Sequence, residues 1–286
     1  MAIRIFTNLT SLNTQRILGI NNDRLTQSIE RISSGLRINR ASDDPSGLAI
    51  ADSLRSDIRV LRQGLRNLND GISLINVADA GMSQQADILI RMRELAQQSA
   101  TGTLTNAERD ILQVEFDQLR DEIDRISSAT EFNGQKLLDG SLAVGAATPI
   151  IIHFGLDATA NSFINLNTEA DVGDLDAFGL GIDTLTIATQ TDATTALTEL
   201  DKALDKLSEE RVSLGAVQNH LTRIISGQAI LVQNLRASES QIRDADIAEE
   251  LALLARNQIL VELATAMLAQ ANIIPQQVLK LLPPTD

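Results

Sequence analysis

Cysteine, tryptophan and tyrosine are all missing from this 286-residue chain, and phenylalanine occurs only six times. Without cysteine there is neither a disulfide framework nor a thiolate metal site, so the structure must be held by packing or by assembly. The scarcity of aromatics removes the usual large anchors of globular cores and of compact binding pockets. The two histidines, His153 and His220, lack the spacing of a metal centre and read as a strand residue and a helix-surface residue. Asp43 beside Asp44 resembles a paired acid and base, yet the adjoining Pro45 makes helix capping the better reading. The Phe178-Gly179-Leu180-Gly181 run lacks the full phosphate-cradle pattern and a following basic residue. The sequence therefore predicts no catalytic centre, no metal and no cofactor.

Basic residues are also in short supply. Lys and Arg number 24 against 38 Asp and Glu, a net charge of −14, which argues against nucleic acid as a partner. No lysine or arginine lies between Lys136 and Lys202, whereas Arg4, Arg16, Arg24, Arg31, Arg37 and Arg40 make the start mildly basic. Met1 to Leu12 lacks the basic segment and apolar run of a cleaved signal peptide, and no unbroken apolar run approaches the length needed to cross a bilayer. The expectation is no membrane insertion, and export, if it occurs, without a cleaved signal.

Aliphatic periodicity is what the chain has in quantity: 43% of it is hydrophobic. Leu54, Leu61, Leu68, Ile75, Met82 and Leu89 recur every seven residues, with Ile58, Leu65, Ile72 and Ala86 as a second row. This spacing predicts a coiled-coil-grade helix from Pro45 to about Ser99, roughly 80 Å long. Thr105 with Glu108 opens a further helix to about Ser128, apolar along Ile111, Val114, Leu119, Ile123 and Ile126, folding back as an antiparallel hairpin. Leu200, Leu207, Leu214 and Leu221 form another seven-residue row from about Ala193 to Ser238, continued by Gln228 and Leu235. Gly215, inside that helix, is expected to permit a close helix approach.

Between these helices the 3.6-residue period vanishes. Leu142–Val144, Ile150–Phe154, Phe163–Leu166 and Leu185–Ile187 read as three or four short strands of a small β-hairpin region. At the ends, Leu18, Leu25 and Ile32 mark one amphipathic helix, and Leu251, Leu254, Val261 and Leu268 mark another from about Ile247 to Ile274, after a polar link at Ser238–Asp246. The last helix is apolar nearly all round. One thin rod offers nothing to cover it, so other copies of the chain must supply the missing wall, and the ends should order on assembly.

Several motifs in order resemble bacterial flagellin. They are Ser11-Leu12-Asn13-Thr14-Gln15, Ile32-Ser33-Ser34-Gly35-Leu36-Arg37-Ile38-Asn39, Asp43-Asp44-Pro45-Ser46-Gly47-Leu48-Ala49-Ile50 and Phe132-Asn133-Gly134-Gln135-Lys136-Leu137-Leu138. Later in the chain, Leu214-Gly215-Ala216-Val217-Gln218-Asn219, Ile242-Arg243-Asp244-Ala245-Asp246-Ile247-Ala248-Glu249-Glu250 and Ala266-Met267-Leu268-Ala269-Gln270-Ala271-Asn272 are similar to the family. The resemblance implies a mainly α, two-layer fold: a long coiled-coil helical rod with a small β-hairpin region. It divides the chain into inner coiled-coil segments at 1–44 and 241–286, rod segments at 45–140 and 193–240, and a β-rich insert at 141–192 that leaves no room for large outer domains. The seven-residue rows at Leu54 to Leu89 and Leu200 to Leu221 become the seam of the rod. Leu18, Leu25, Ile32, Leu251, Leu254, Val261 and Leu268 become filament-core packing.

The implied function is a non-enzymatic subunit of the flagellar filament, extracellular and exported through a type III apparatus. A hook–filament junction protein, and a secreted immune-receptor ligand or adhesin, are the competing readings. Implied partners are many copies of the same chain, an export chaperone, and the filament cap and junction proteins. Arg91, Leu95 and Glu115 match the surface that Toll-like receptor 5 reads on many flagellins, although Ile90 stands where receptor-active relatives often carry glutamine. The tail Pro283-Pro284-Thr285-Asp286 extends beyond the usual ending of the family.

Overall fold

Capping residues set the helix ends in the computed structural model, which describes residues 7–157 and 159–281. Helix α1 (Leu9–Ser34) opens where the Asn8 carboxamide oxygen accepts from Ser11 N at 3.1 Å, and closes at Gly35. Gly35 is left-handed at φ +71° and donates its N–H to Arg31 O, a conformation that favours glycine. Asp44 accepts from Gly47 N at 2.9 Å and Pro45 takes the first position of α2 (Pro45–Ser99), where its missing N–H costs nothing. Thr105 and Glu108 form a complete capping box on α3 (Asn106–Ala129).

Farther on, α4 is short (Leu166–Ala170) and α5 is long (Gln190–Arg243). The Thr189 hydroxyl accepts from Asp192 N at the start of α5. Asp246 accepts from Ala248 N and Glu249 N where α6 (Ile247–Leu281) begins. The expected polar link from Ser238 is thus only Asp244–Asp246; Ser238 to Arg243 continue α5. Arg4 and the tail from Pro283 to Asp286 lie outside the described residues.

Four short strands form two antiparallel hairpins. Strands β1 (Glu131–Phe132) and β2 (Gln135–Lys136) close over Asn133 and Gly134, both at positive φ. Strands β3 (Ile151–His153) and β4 (Phe163–Asn165) pair Ile152 with Ile164. Leu142–Val144 and Leu185–Ile187 are not strands, a correction with a simple cause: β-rich composition makes a strand only where another segment offers a ladder.

The chain divides into two compact units, one of residues 1–56 with 234–286, the other of residues 57–233. Leu142, Ile152, Val172, Leu175 and Ile187 of the insert are buried in one core with the helices.

In the unit of residues 57–233, contacts order the helices as antiparallel neighbours. Ser99 O accepts from Arg109, Arg91 meets Glu115, and Gln85 reaches Ile123 O along α2 and α3. Asn76 meets Gln218, Asp79 meets Arg211, and Arg93 meets Asp201 along α2 and α5. Leu61, Leu68, Ile75, Met82 and Leu89 are buried, as are Leu200, Leu207, Leu214 and Leu221. Leu54, in the other unit, is half-buried.

Two expectations about this unit need correction. Ile111 and Val114 are exposed, and Phe116 fills the α3 core position in their place, since the buried row runs Phe116, Leu119, Ile123, Ile126. A Cβ at Gly215 would meet nothing within 4 Å, so that glycine makes no close approach. The close approaches are on α2: a Cβ at Gly64 would overlap the Phe154 carbonyl, and one at Gly71 would overlap Ile152, so these two glycines seat the β3–β4 hairpin on the helix.

Candidate assembly surface

In the unit built from both chain ends, α1 and α6 pack against each other with an unusual seam. The buried positions are Ser11, Asn21 and Ser28 on α1, and Glu250, Asn257, Ala264 and Ala271 on α6, the latter set seven residues apart. Polar groups cross this seam. Asn8 Nδ2 donates to Ala271 O at 2.8 Å, Ser11 Oγ to Asn272 Oδ1 at 2.8 Å, and Asn257 Nδ2 to Ser28 Oγ at 3.2 Å. Arg31 pairs with Glu250 at 2.9 Å, with the carboxylate largely buried. Such polar seam positions set register and partner more than they add stability.

Leu18, Leu25, Ile32, Leu254, Val261 and Leu268, expected as the packing rows, are half-buried and flank this seam. Leu251 is exposed, together with Leu9, Leu12, Ile20 and Ile29 on α1 and Ile259, Leu263 and Met267 on α6. The helix pair is thus polar within and apolar without. By length and composition alone, Ile247–Ile273 contains an 18-residue window of mean hydropathy 1.4, enough for a bilayer-crossing helix, although Asn257, Gln258 and Glu262 break its apolar runs.

Beside the seam, a loop joins α1 to α2. The Asp43 carboxylate accepts from Arg40 N at 2.9 Å and Asn39 N at 3.1 Å, and its pKa is lowered, first by the Arg40 N–H. Asp44 caps the helix, whereas Asp43 ties this loop. Leu36 bridges Asp244, and Arg37 N donates to Arg243 O at 2.7 Å, so the loop is stitched to the end of α5.

On the surface of residues 57–233, Arg91 holds Glu115 through Nε at 3.0 Å and NH2 at 2.8 Å, and Glu94 through NH1 at 2.9 Å. The Arg91 pKa is raised, by Glu115 first and then by Glu94. Leu95 is only 1% exposed and belongs to the core, so it drops out of any contact surface; the face available there is Arg91, Glu115 and the exposed Ile90. His153 stacks its ring 5.4 Å from Phe163, and His220 Nδ1 lies 3.2 Å from Glu169. Sequence reasoning missed Asn167, which is buried, accepts from Ile150 N and donates to Ser141 O and Ala143 O, pinning the insert.

Long helices, a slim polar seam and an apolar exterior define a helical structural protein. Comparisons with known proteins make that class specific. The family model for the bacterial flagellin N-terminal helical region matches residues 5–143, and that for the bacterial flagellin C-terminal helical region matches residues 197–282. The flagellar filament 30.7 kDa core protein of Treponema maltophilum is 41% identical over 279 residues, covering 96% of this chain and 98% of its own. Flagellin of Bacillus subtilis (strain 168) is 41% identical over 307 residues, covering 98% of this chain and 100% of its own. A structure of a putative flagellar hook-associated protein from Vibrio parahaemolyticus shares the fold, with a TM-score of 0.58 and 16% identity over 71% of this chain and 100% of that one.

The chain belongs to the bacterial flagellin family, in a short form without large outer domains. It is a structural subunit of the flagellar filament.

Proposed function

We propose that copies of this chain polymerise through the unit formed by its two ends, the outer faces of α1 and α6 being covered by neighbouring subunits. One observation carries the reading: large aliphatic side chains on both helices face outward while polar and small ones fill the seam between them. Ile38 is the largest side chain fully buried in that unit, so a lone copy gains little from burial against the entropy of ordering two helices. Assembly supplies the missing apolar wall. Torque then passes along rigid helical columns, and the filament acts as a propeller outside the cell.

Ends that order fully only on assembly would suit passage through a narrow type III export channel. An export chaperone, the filament cap and the junction proteins would meet the same apolar helices before or during assembly. Deleting 247–286 tests the scheme. The truncated chain should keep the helical content of residues 57–233 and form no filaments by electron microscopy; normal filaments would refute it.

A second role is favoured by the exposed Arg91–Glu115 pair, which offers a patterned charged face on the free subunit. Binding by Toll-like receptor 5 would use Arg91 and Glu115 without Leu95. Exchange of both residues should abolish receptor signalling and leave polymerisation intact.

A further inference from the structure

An apolar groove of about 450 Å³ opens on the unit of residues 57–233, lined by Leu61, Phe154, Leu156, Ile224, Gln228 and Leu231. Leu156 and Leu231 at its rim are exposed. The Gln228 carboxamide donates through Nε2 to Leu61 O and Phe154 O, while its buried Oε1 has no partner among the described residues. Elsewhere on the same unit, Phe178 is 77% exposed. In a chain with six phenylalanines, that is a costly place for one.

The loop around Phe178 is built to hold the ring out. Leu180 N donates to Asp176 O, Gly181 N to Phe178 O, Ile182 N to Ala177 O, and Gly179 N to the Asp176 side chain. Lys206 Nζ donates to Gly179 O at 2.6 Å, fixing the loop to α5. Ala177 and Leu180 on either side are buried. A loop so braced loses little freedom when its ring is docked.

We propose that the groove receives the Phe178 loop of a second copy of this chain. The inference rests on the filament reading above and adds to it a contact between the helical units. Lys206 and Gln228 stand about six turns apart on α5, roughly 33 Å, so one copy cannot fill its own groove. A knob and a hole at separate places make a head-to-tail contact that repeats from copy to copy, as a filament requires.

Charge supports the same occupant. Asp124, Asp139, Asp174, Asp176 and Asp183 line the surface beside Phe178 and outnumber the neighbouring cations Lys206 and Arg120. From residue 211 to 233 α5 has no acidic residue, and the exposed Arg62 and Arg223 adjoin the lining residues Leu61 and Ile224. The one acid on the groove, Asp157, is already engaged by Ser162 Oγ. Opposite charge around an apolar contact sets its orientation and speeds its formation.

Three full-length variants test this. Phe178→Asp removes the knob. Gly227→Phe plugs the groove, and a Cβ there meets nothing within 4 Å, so the unit should melt as the parent does. Each should raise the critical concentration for polymerisation by at least about tenfold, the loss of roughly 1.4 kcal/mol per contact. Phe178→benzoylphenylalanine, illuminated in filaments, should cross-link between copies to peptides containing Phe154–Asp157 or Ile224–Leu231. Parent-like critical concentrations, a defect in only one of the two blocking variants, or cross-links elsewhere would overturn the proposal while the filament reading stands. Failure of the parent chain itself to polymerise would remove that reading and this one together.

Discussion

Asn257 and Ser28 meet side chain to side chain inside the seam of the terminal unit, Asn257 Nδ2 donating to Ser28 Oγ although 229 residues separate them in sequence. Both are buried there. Asn257→Ala strips the serine of its donor in a buried place, a loss of about 1–3 kcal/mol. Amide exchange within α1 and α6 of assembled filaments should quicken accordingly. Unchanged exchange would mean the seam is not specified by its polar pairs.

Outside the seam the sign of the effect is different. Ile259 and Leu263 are exposed in the single chain, so Ile259→Asp with Leu263→Asp should leave its circular dichroism unchanged. Each side chain is worth about 1.5–3 kcal/mol when fully covered. Sedimentation should therefore show filaments only at far higher protein concentration than the parent needs. Wild-type sedimentation would show that no neighbour covers this face.

The glycine seat of the β3–β4 hairpin is sensitive to a single methyl group. At Gly64 an added Cβ runs into the Phe154 carbonyl, and backbone cannot swing aside as a side-chain tip can. Gly64→Ala should destabilise the unit of residues 57–233 by about 1–3 kcal/mol, lowering its melting midpoint by roughly 2–4 °C per kcal/mol. Gly215→Ala, facing open space, should not lower it and tests the contrast.

Glu210 gives a pH dependence of defined sign. Burial raises its pKa above 4.5, against the Gly173 N–H and Lys206, which lower it. A carboxyl raised on folding costs stability in its charged form, so the penalty is absent at low pH and grows as pH rises through the unfolded value to the folded one. Glu210→Gln should raise the melting midpoint at about pH 7 and lose that advantage below about pH 4. A gain that is the same at both pH values would assign the effect to something other than charge.

Much of the helical unit was legible because large aliphatic side chains at seven-residue spacing have one obvious fate. Leu68, Ile75, Met82, Leu207 and Leu214 are buried where periodicity put them. The error on α3 was one of phase: counting back from Ile123 by four and then three gives Leu119 and Phe116, whereas Ile111 and Val114 belong to the outer face. The terminal pair misled for a deeper reason. Hydrophobic pattern finds the large side chains, but here Asn21, Ser28 and Asn257 meet within the pair and Leu251, Ile259 and Leu263 look away from it. Which face of such a helix is inside depends on molecules that one sequence does not contain. Gln85, buried and donating to Leu175 O, was equally hidden, since nothing local announces a distant carbonyl.

The pairing of Asn8 with Ala271, 263 positions along the chain, makes the terminal unit a clasp whose halves lie far apart in the polypeptide. Half a clasp holds nothing. A chain that lacks either helix therefore leaves the seam side chains of the other, Ser28 or Asn257 among them, without their partners.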